Sequence, residues 1–546
     1  MAASQWKWSV LSARSIALSV LLLVLALVSS GAARACSPED VLWLWPGALS
    51  ANAITFTLGL RDGHACRDRQ FVLHATPERH SDAEEIHASV APCYATAPVA
   101  GGPAPDVLPL LPQEPEELGP AKACALAALP FANRAYRYTL TLVPSARDEA
   151  NVVVRRGTFS TPAADGSPFS FRFAFSSCAD EQSDPRVFTE MATQWRPLFL
   201  LHMGDLHYHN LEVNDVSRFR AAYHSLLTSP SGRAMLAMDL PIAYMWDDHD
   251  FGPDNSDRTA PGRNASLQVY REFVPHYELP GDALDGPRSA IYQSFTIGRV
   301  HFILTDLRSH RSPNLARDAP SKSVLGAKQK KWFKEELVRA TNDARVALIV
   351  WCSTMPWHDD ERKWGYFRHE QQEIIEYMQG HGVNRWKRVV IVSGDAHMIA
   401  VDDGRHTPGN LTVFHAAALG RPGSIKGGPY SHGAFPGSGQ YGIMDVEDDG
   451  EQVCLRFRGV RMDEGVLLDY DLCHPERTPP QSTYVPPPIA CAQDAARVEE
   501  DQAPAARVLV AVARRWSGRR AGGAGHGAAV CHASTWPPPR TQREEE

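Results

Sequence analysis

Three short clusters in this 546-residue chain combine carboxylates with histidines: Gly204-Asp205-Leu206-His207-Tyr208-His209-Asn210, Trp246-Asp247-Asp248-His249-Asp250 and Gly394-Asp395-Ala396-His397. Carboxylate oxygens and imidazole nitrogens are ligands for divalent and trivalent cations, and a Gly-Asp step lets a carboxylate leave a strand end on permissive backbone. The middle cluster sets Asp247, Asp248 and Asp250 almost side by side, and Asp254 and Asn255 extend its oxygen-rich loop. Such a density of like charge is costly unless cations or hydrogen bonds offset it. In extended backbone the D-x-H spacing turns Asp395 and His397 to the same side. Any one of these aspartates alone reads as a turn residue; three clusters in succession read as a metal site. A fourth cluster, Phe-Ser-Ser-Cys, ends at Cys178. A lone buried cysteine is ordinarily a small core residue, but beside a metal it loses its proton and becomes a ligand, and its company favours that reading here. A fifth, Thr305-Asp306-Leu307-Arg308, offers a guanidinium able to bind two phosphate oxygens at once.

These clusters must be delivered by strand ends, and the sequence supplies the strands. Apolar runs at Phe171–Ser176, Leu198–Met203, Ile242–Trp246, Val300–Thr305, Val346–Trp351 and Val389–Val392 read as buried strands. Helices alternate with several of them, at Pro185–Thr193, from Gly326 with Leu325, Trp332, Phe333 and Leu337 on one face, and over Phe367, Gln371, Ile374, Ile375 and Met378. The fold class expected for 166–474 is therefore a layered α/β domain carrying its site on one rim. Ahead of it, 36–165 alternates apolar and polar residues over short runs, including Ala53–Leu60, Gln70–Ala75, Tyr136–Val143 and Val152–Thr161, and predicts a small immunoglobulin-like β-sandwich domain. A Pro/Glu-rich stretch, Pro98–Pro120, reads as an exposed loop within it.

The ends of the chain differ in kind. Lys7 and Arg14 precede an apolar run from Ile16 to Val28 and then Ala33-Arg34-Ala35, the pattern of a cleaved secretory signal over 1–35. The run falls short of the roughly 20 residues that span a bilayer, so no transmembrane anchor is expected after cleavage. Beyond 475, proline pairs and triplets and an Arg/Gly/Ala-rich run predict a disordered tail, with Ala505–Trp516 able to form a basic amphipathic helix. Ten cysteines in a secreted chain imply disulfides; Cys66, Cys93 and Cys124 lie in the N-terminal third, and Cys454 and Cys473 flank a late hairpin. Asn264 and Asn410 open N-x-S/T tripeptides. A net charge of -8 without a Lys/Arg stripe argues against a nucleic-acid groove and for a small-molecule partner.

Taken in order, Phe-Ser-Ser-Cys178, Gly204-Asp205-Leu206-His207-Tyr208, the run from Trp246 to Asp257, Thr305–Arg308 with the following Leu325–Phe333, and Ser393–His397 resemble the successive motifs of the PhoD-like alkaline phosphatases of the calcineurin-like metallophosphoesterase superfamily. The N-terminal strands up to the Gly157–Pro162 join resemble that family's N-terminal domain. The resemblance implies iron with calcium, with Cys178, Asp205, Tyr208 and Asp395 as the iron-side ligands and Asp205 bridging to a second metal. Asp248 falls where the superfamily has the asparagine of its G-N-H-E motif, His249 at the phosphate-facing histidine, and His397 at the histidine of the final motif. Asp250 stands where glutamate is usual, and the histidine that many members place before the last motif has no clear counterpart unless His358 folds back. The reaction implied is hydrolysis of phosphomonoesters, and also diesters, by a metal-bound hydroxide. Two metals about 3.5 to 4 Å apart would lower the pKa of bound water to about 7 and clamp the displacement. His249 would orient the phosphate or protonate the leaving oxygen, and Arg308 would hold the phosphate. No G-x-S-x-G elbow or P-loop is present. The competing expectation is a catalytically silent secreted protein that binds partners through the sandwich domain. Substrate walls would come from 254–262 and from a Gly/Pro-rich lid over 420–441.

Overall fold

The computed structural model describes residues 36–61, 66, 68–79, 88–95, 121–144, 150–358 and 360–475. The signal segment 1–35, the Pro/Glu-rich stretch 98–120 and the tail beyond 475, with its amphipathic stretch, lie outside these residues. The described residues belong to one compact unit, and among them no helix is long and apolar enough to cross a membrane.

The N-terminal strands are β1 (Val41–Gly47), β2 (Ile54–Leu60), β3 (Phe71–Pro77), β4 (Ser89–Ala95), β5 (Lys122–Leu126), β6 (Ala135–Leu142) and β7 (Val152–Ser160). They join antiparallel in the order β1-β2-β5-β4-β3-β6-β7. The expectation of two separate immunoglobulin-like sheets is not what the ladders form, because β4 belongs to both halves: Cys93 pairs with Phe71 of β3, and Tyr94 with Ala123 of β5. The two halves still face each other about one core, where Phe56 of β2 meets Tyr138 of β6 at a ring separation of 4.9 Å. Disulfides Cys36–Cys66 and Cys93–Cys124 close this region. It leans on the rest of the unit through Trp45 against Tyr244, Thr57 Oγ1 donating to the Phe273 carbonyl at 2.6 Å, and Tyr138 Oη donating to Asp239 at 2.9 Å.

Two further sheets carry the site. One contains β8 (Phe171–Ser176), β9 (Phe199–Met203) and β10 (Ile242–Met245), mutually parallel, with β18 (Gln440–Asp448) antiparallel to β8 and β19 (Gln452–Arg461) and β20 (Gly465–Pro475) each antiparallel to the strand before, in the order β10-β9-β8-β18-β19-β20. The other contains β11 (Gln293–Ile297), β12 (Val300–Leu304), β13 (Leu348–Ser353), β14 (Arg388–Ser393), β15 (Met398–Asp402), β16 (Thr412–Ala416) and β17 (Ala434–Pro436), with β12, β13, β14 and β16 parallel. Disulfide Cys454–Cys473 joins directly opposed residues of β19 and β20, in the late hairpin expected from the sequence.

Because successive side chains on a strand face opposite ways, the uninterrupted apolar runs fill two cores at once. Phe173, Phe175, Leu201 and Met203 of the first sheet meet Phe302, Leu304, Val350, Val392 and Phe414 of the second, with Phe173 edge-on to Phe302 at 5.4 Å. The alternate residues turn outward: Leu200, Ile242 and Tyr244 under the helices Val216–Thr228, Pro230–Ala237 and Arg263–Phe273, and Ile303, Ile349, Trp351, Val389 and Ile391 under Gly326–Asn342 and Arg368–Gly380. Helix, sheet, sheet and helix thus form four layers. Burying one of the central phenylalanines contributes about 2 to 3 kcal/mol, and Phe302→Ala would cost about 3 to 5 kcal/mol through the cavity it leaves. The consequence for function is rigidity: the C-terminal ends of β8, β9, β10, β12, β13 and β14 are fixed against one another where their loops begin.

Candidate active site

Three residues at these strand ends share an unusual backbone. Cys178, Asp205 and Asp395 have φ of 62°, 53° and 64°, a left-handed conformation that costs an L-residue on the order of 1 to 3 kcal/mol and persists only where the surroundings impose it. Here the loops impose it on one another. Cys178 N donates to the Gly204 carbonyl at 3.1 Å, Ala179 N to the Asp205 carbonyl at 2.9 Å, Gly394 N to the Thr354 carbonyl at 3.0 Å and Asp395 N to Ser177 Oγ at 3.0 Å. Glycine is required twice for close approach: a Cβ on Gly204 (φ 86°) would lie 2.4 Å from Asp247 N, and one on Gly394 would lie 2.4 Å from Ser177 Oγ.

Asp250, read from sequence as a departure from a usual glutamate, is the clasp of this arrangement. Its fully buried carboxylate accepts from the N–H groups of Asp205 (2.6 Å), Leu206 (2.7 Å), His207 (3.2 Å) and Asp247 (3.0 Å). It therefore ties the β9 loop to the β10 loop, and its oxygens point at backbone.

The donors gather in two halves of one cleft. In the first, Tyr208 Oη donates to Asp205 Oδ2 at 3.0 Å, Cys178 Sγ lies 3.6 Å from the same oxygen, and the His249 N–H donates to Asp205 Oδ1 at 3.3 Å. Carboxylate oxygens of Asp205 and Asp248 and a ring nitrogen of His249 lie within 4.8 Å of one another. Burial, reinforced by the Asp205 charge, pushes the Cys178 thiol and the Tyr208 phenol well up, and burial with the charges of Asp248 and Asp247 pushes the Asp205 carboxyl up. Three acidic groups crowded this closely, with no lysine or arginine among the described residues paired to Asp205, fit a cation, which would let all three ionise together.

The second half is supplied with positive charge by the chain itself. Buried oxygens of Asp247, Asp248 and Asp395 lie within 4.8 Å of one another. Arg308, 1 % exposed, donates through Nε to Asp247 Oδ1 and sets Nη2 3.3 Å from Asp248 Oδ1; Thr354 Oγ1 donates to Asp247 at 3.0 Å. Lys363 pairs with Asp395 Oδ2, and Lys426 Nζ lies 3.4 Å from Asp395 Oδ1. Burial alone would raise the Asp395 carboxyl, but Lys363 and Lys426 hold it well below the usual carboxylate range. Arg308, expected at the substrate phosphate, is found with its fork on Asp247 and on the cleft-lining Asp248, and does not itself line the cleft.

The cleft holds about 490 Å³ and is lined by Asp205, Tyr208, Asp248, His249, Asp395 and His397 together with Asn210, Asp254, Asn255, Arg362, Lys363, Arg421 and Lys426. All of the sequence-predicted residues except Cys178, just beneath it, and Arg308 line it. His249 packs tilted against Tyr208 with ring centres 4.0 Å apart, bonds Asn210 Oδ1 through Nδ1, and sets Nε2 3.7 Å from Asp254. His397 bonds the Pro422 carbonyl through Nδ1 at 2.6 Å, leaving Nε2 for the cleft. Arg421 lies 4.2 Å above the Tyr208 ring and pairs with Asp180 at 2.8 Å. His358 does not fold back: it is buried against Tyr430, 4.0 Å from Asp402. The Gly/Pro-rich stretch expected as a lid is pinned, with Gly427 N donating to Asp360 at 2.6 Å, Ser431 N to Asp402 at 3.0 Å, and β17 paired to β15. Sequence reasoning missed Arg362, Lys363, Arg421 and Lys426; they come from loops without a motif, and only the charge of Arg421 and Lys426 in a glycine-rich setting could have drawn notice.

Set against solved structures, the chain is similar to PhoD at 15 % identity and a TM-score of 0.59, covering 82 % of this chain and 92 % of that one. It is also similar to the purple acid phosphatase PPD1 from yellow lupin (Lupinus luteus) seeds, at 13 % identity and a TM-score of 0.51, covering 79 % and 73 %. Curated proteins give no match. The buried carboxylates and basic rim of this cleft accord with a phosphoric ester hydrolase, the class that the family match over 173–419 supports. The segment 173–419, which carries every candidate ligand, belongs to the PhoD-like phosphatase family.

Proposed function

We propose that the protein is a secreted, metal-dependent hydrolase of phosphomonoesters that also accepts diesters. The observation carrying this reading is the first half of the cleft, where Cys178 and Tyr208 meet around one oxygen of Asp205, which has no ion pair with a lysine or arginine among the described residues, in a cleft of about 490 Å³ lined by four basic side chains. Asp248 and His397 complete the reach of that set. Iron is the cation this thiol, phenol and carboxylate combination suits, and iron with calcium is the pairing the family resemblance implies. A bound cation supplies Lewis acidity and lowers the pKa of water toward neutrality.

The chain does the rest. Arg362, Arg421 and Lys426 draw and orient a dianionic phosphate at the mouth, at the cost of no new charge separation. Arg308 holds Asp247 and Asp248 in place. His249, its Nδ1 committed to Asn210, presents Nε2 to the cleft and protonates the departing oxygen. The three disulfides support an oxidising compartment, in agreement with the signal pattern over 1–35. Domain limits near 165 and 474 follow the change from the N-terminal strands to the paired sheets.

Chelation should abolish turnover of an aryl phosphate, and Asp205→Ala or Asp395→Ala should leave none. His249→Ala should lose about 10²- to 10⁴-fold on alkyl phosphates and far less on aryl phosphates, whose leaving oxygen needs no proton. Metal-loaded protein without activity that these substitutions remove would favour the silent binding protein instead.

A further inference from the structure

We propose that Lys363 is the resident second cation of this site, its ammonium group taking the place of a metal ion at Asp395, so that the hydrolase loads a single ion at Cys178, Asp205 and Tyr208. The inference rests on the metal-dependent reading above and departs from a two-metal site. Asp247, Asp248 and Asp395 bring oxygens within 4.8 Å of one another, a cluster that needs positive charge. The chain provides three such charges: Arg308 reaches Asp247 and Asp248, and Lys363 and Lys426 take one oxygen each of Asp395. Three carboxylates and three cations leave that half neutral.

The placement of Lys363 is built, not incidental. The residue is 2 % exposed, far below what a solvated surface lysine shows. Its backbone is fixed by Lys363 N donating to the Asp360 carbonyl at 3.3 Å and by Tyr366 N donating to the Lys363 carbonyl at 3.1 Å. The next residue, Trp364, anchors this turn among Trp351 and Trp357, ring centres 5.8 and 4.9 Å away. The side chain therefore enters the cleft from a rigid base and ends on Asp395. A metal ion bound by Asp395 would have to displace that ammonium and would meet Lys426 as well. Asp205, by contrast, has no ion pair with a lysine or arginine among the described residues, and its neighbours are a thiol, a phenol and a histidine N–H. Arg421 lies over the Tyr208 ring but makes its ion pair with Asp180, so Asp205 is left without an ammonium or guanidinium partner among the described residues while Asp395 has two.

The test is a metal count. Full-length protein loaded with excess iron and calcium and then desalted is analysed by inductively coupled plasma mass spectrometry, alongside Lys363→Glu, with circular dichroism to check folding. The expected result is one ion per wild-type chain and two in Lys363→Glu, which exchanges the ammonium for a ligand. A folded Lys363→Glu that still holds one ion overturns the proposal. If that variant does not fold, the wild-type count decides alone, since two or more ions in active wild type refute it. Wild type that binds no ion refutes the metal-dependent reading itself, which separates the two failures.

Discussion

Replacing Arg308 by methionine removes a buried guanidinium while keeping most of its volume, and the structure fixes what should follow. Asp247 would keep Thr354 Oγ1 at 3.0 Å and Asp248 would keep the Asn255 N–H, so each carboxylate retains one donor and loses its counter-charge. Breaking a buried ion pair from one side costs about 3 to 5 kcal/mol, and the retained donors place this case at the low end. A loss of about 3 kcal/mol lowers the ratio of folded to unfolded chains roughly 150-fold. The assay is urea unfolding of chelator-treated protein followed by tryptophan fluorescence, beside steady-state kinetics on an aryl phosphate with metal restored. The midpoint should fall clearly and kcat should drop as the aspartates splay, while KM stays near wild type. Arg308→Lys, a point charge able to reach one carboxylate at a time, should fall between. A methionine variant with the wild-type midpoint and a KM raised tenfold or more would refute the reasoning, because it would show the guanidinium on the substrate phosphate.

His202, at the end of β9, is fully buried, neither ring nitrogen is bonded among the described residues, and burial lowers its pKa to about 3. The unfolded chain takes up a proton near 6.5 that the folded chain refuses until about 3, so stability is lost as pH falls through that window, on the order of 2 kcal/mol by pH 5. His202→Phe should therefore flatten the acid limb of a stability-against-pH curve, and an unchanged limb contradicts this account. Gly394→Ala would force a Cβ to 2.4 Å from Ser177 Oγ, the acceptor of the Asp395 N–H. It should cut kcat at least tenfold with an unchanged far-ultraviolet spectrum; full activity would mean that the Asp395 turn is looser than drawn.

Much of the site was legible because it is written locally. A strand followed by Gly-Asp or Asp-Asp-His carries both its period and its ligand within a few residues, and six of the eight residues chosen from sequence line the cleft. Cys178 lies just beneath it, and Arg308, read as a phosphate ligand, is found paired with Asp247 and Asp248. A guanidinium binds a carboxylate as readily as a phosphate, and sequence cannot say which is nearer. Lys363 and Lys426 were invisible for a different reason: the contacts that bring them to Asp395 span loops without periodicity. In the fold, the paired-sheet strands were readable from their apolar runs. β1, β4 and β5 were not among the strands read, and β4 joined what the alternation suggested were two sheets. The register that sets β18 beside β8 also lies beyond local pattern.

That last pairing bears on how the protein comes to exist. β8 opens the phosphatase segment and holds Cys178 at its end, yet the strand that hydrogen-bonds its free edge, β18, begins at Gln440, after the family-matched segment closes at 419. During synthesis the β8 edge stays open and aggregation-prone until β18 has emerged. An expression fragment cut at the family boundary would be released in that same state, lacking Lys426 as well as its closing strands.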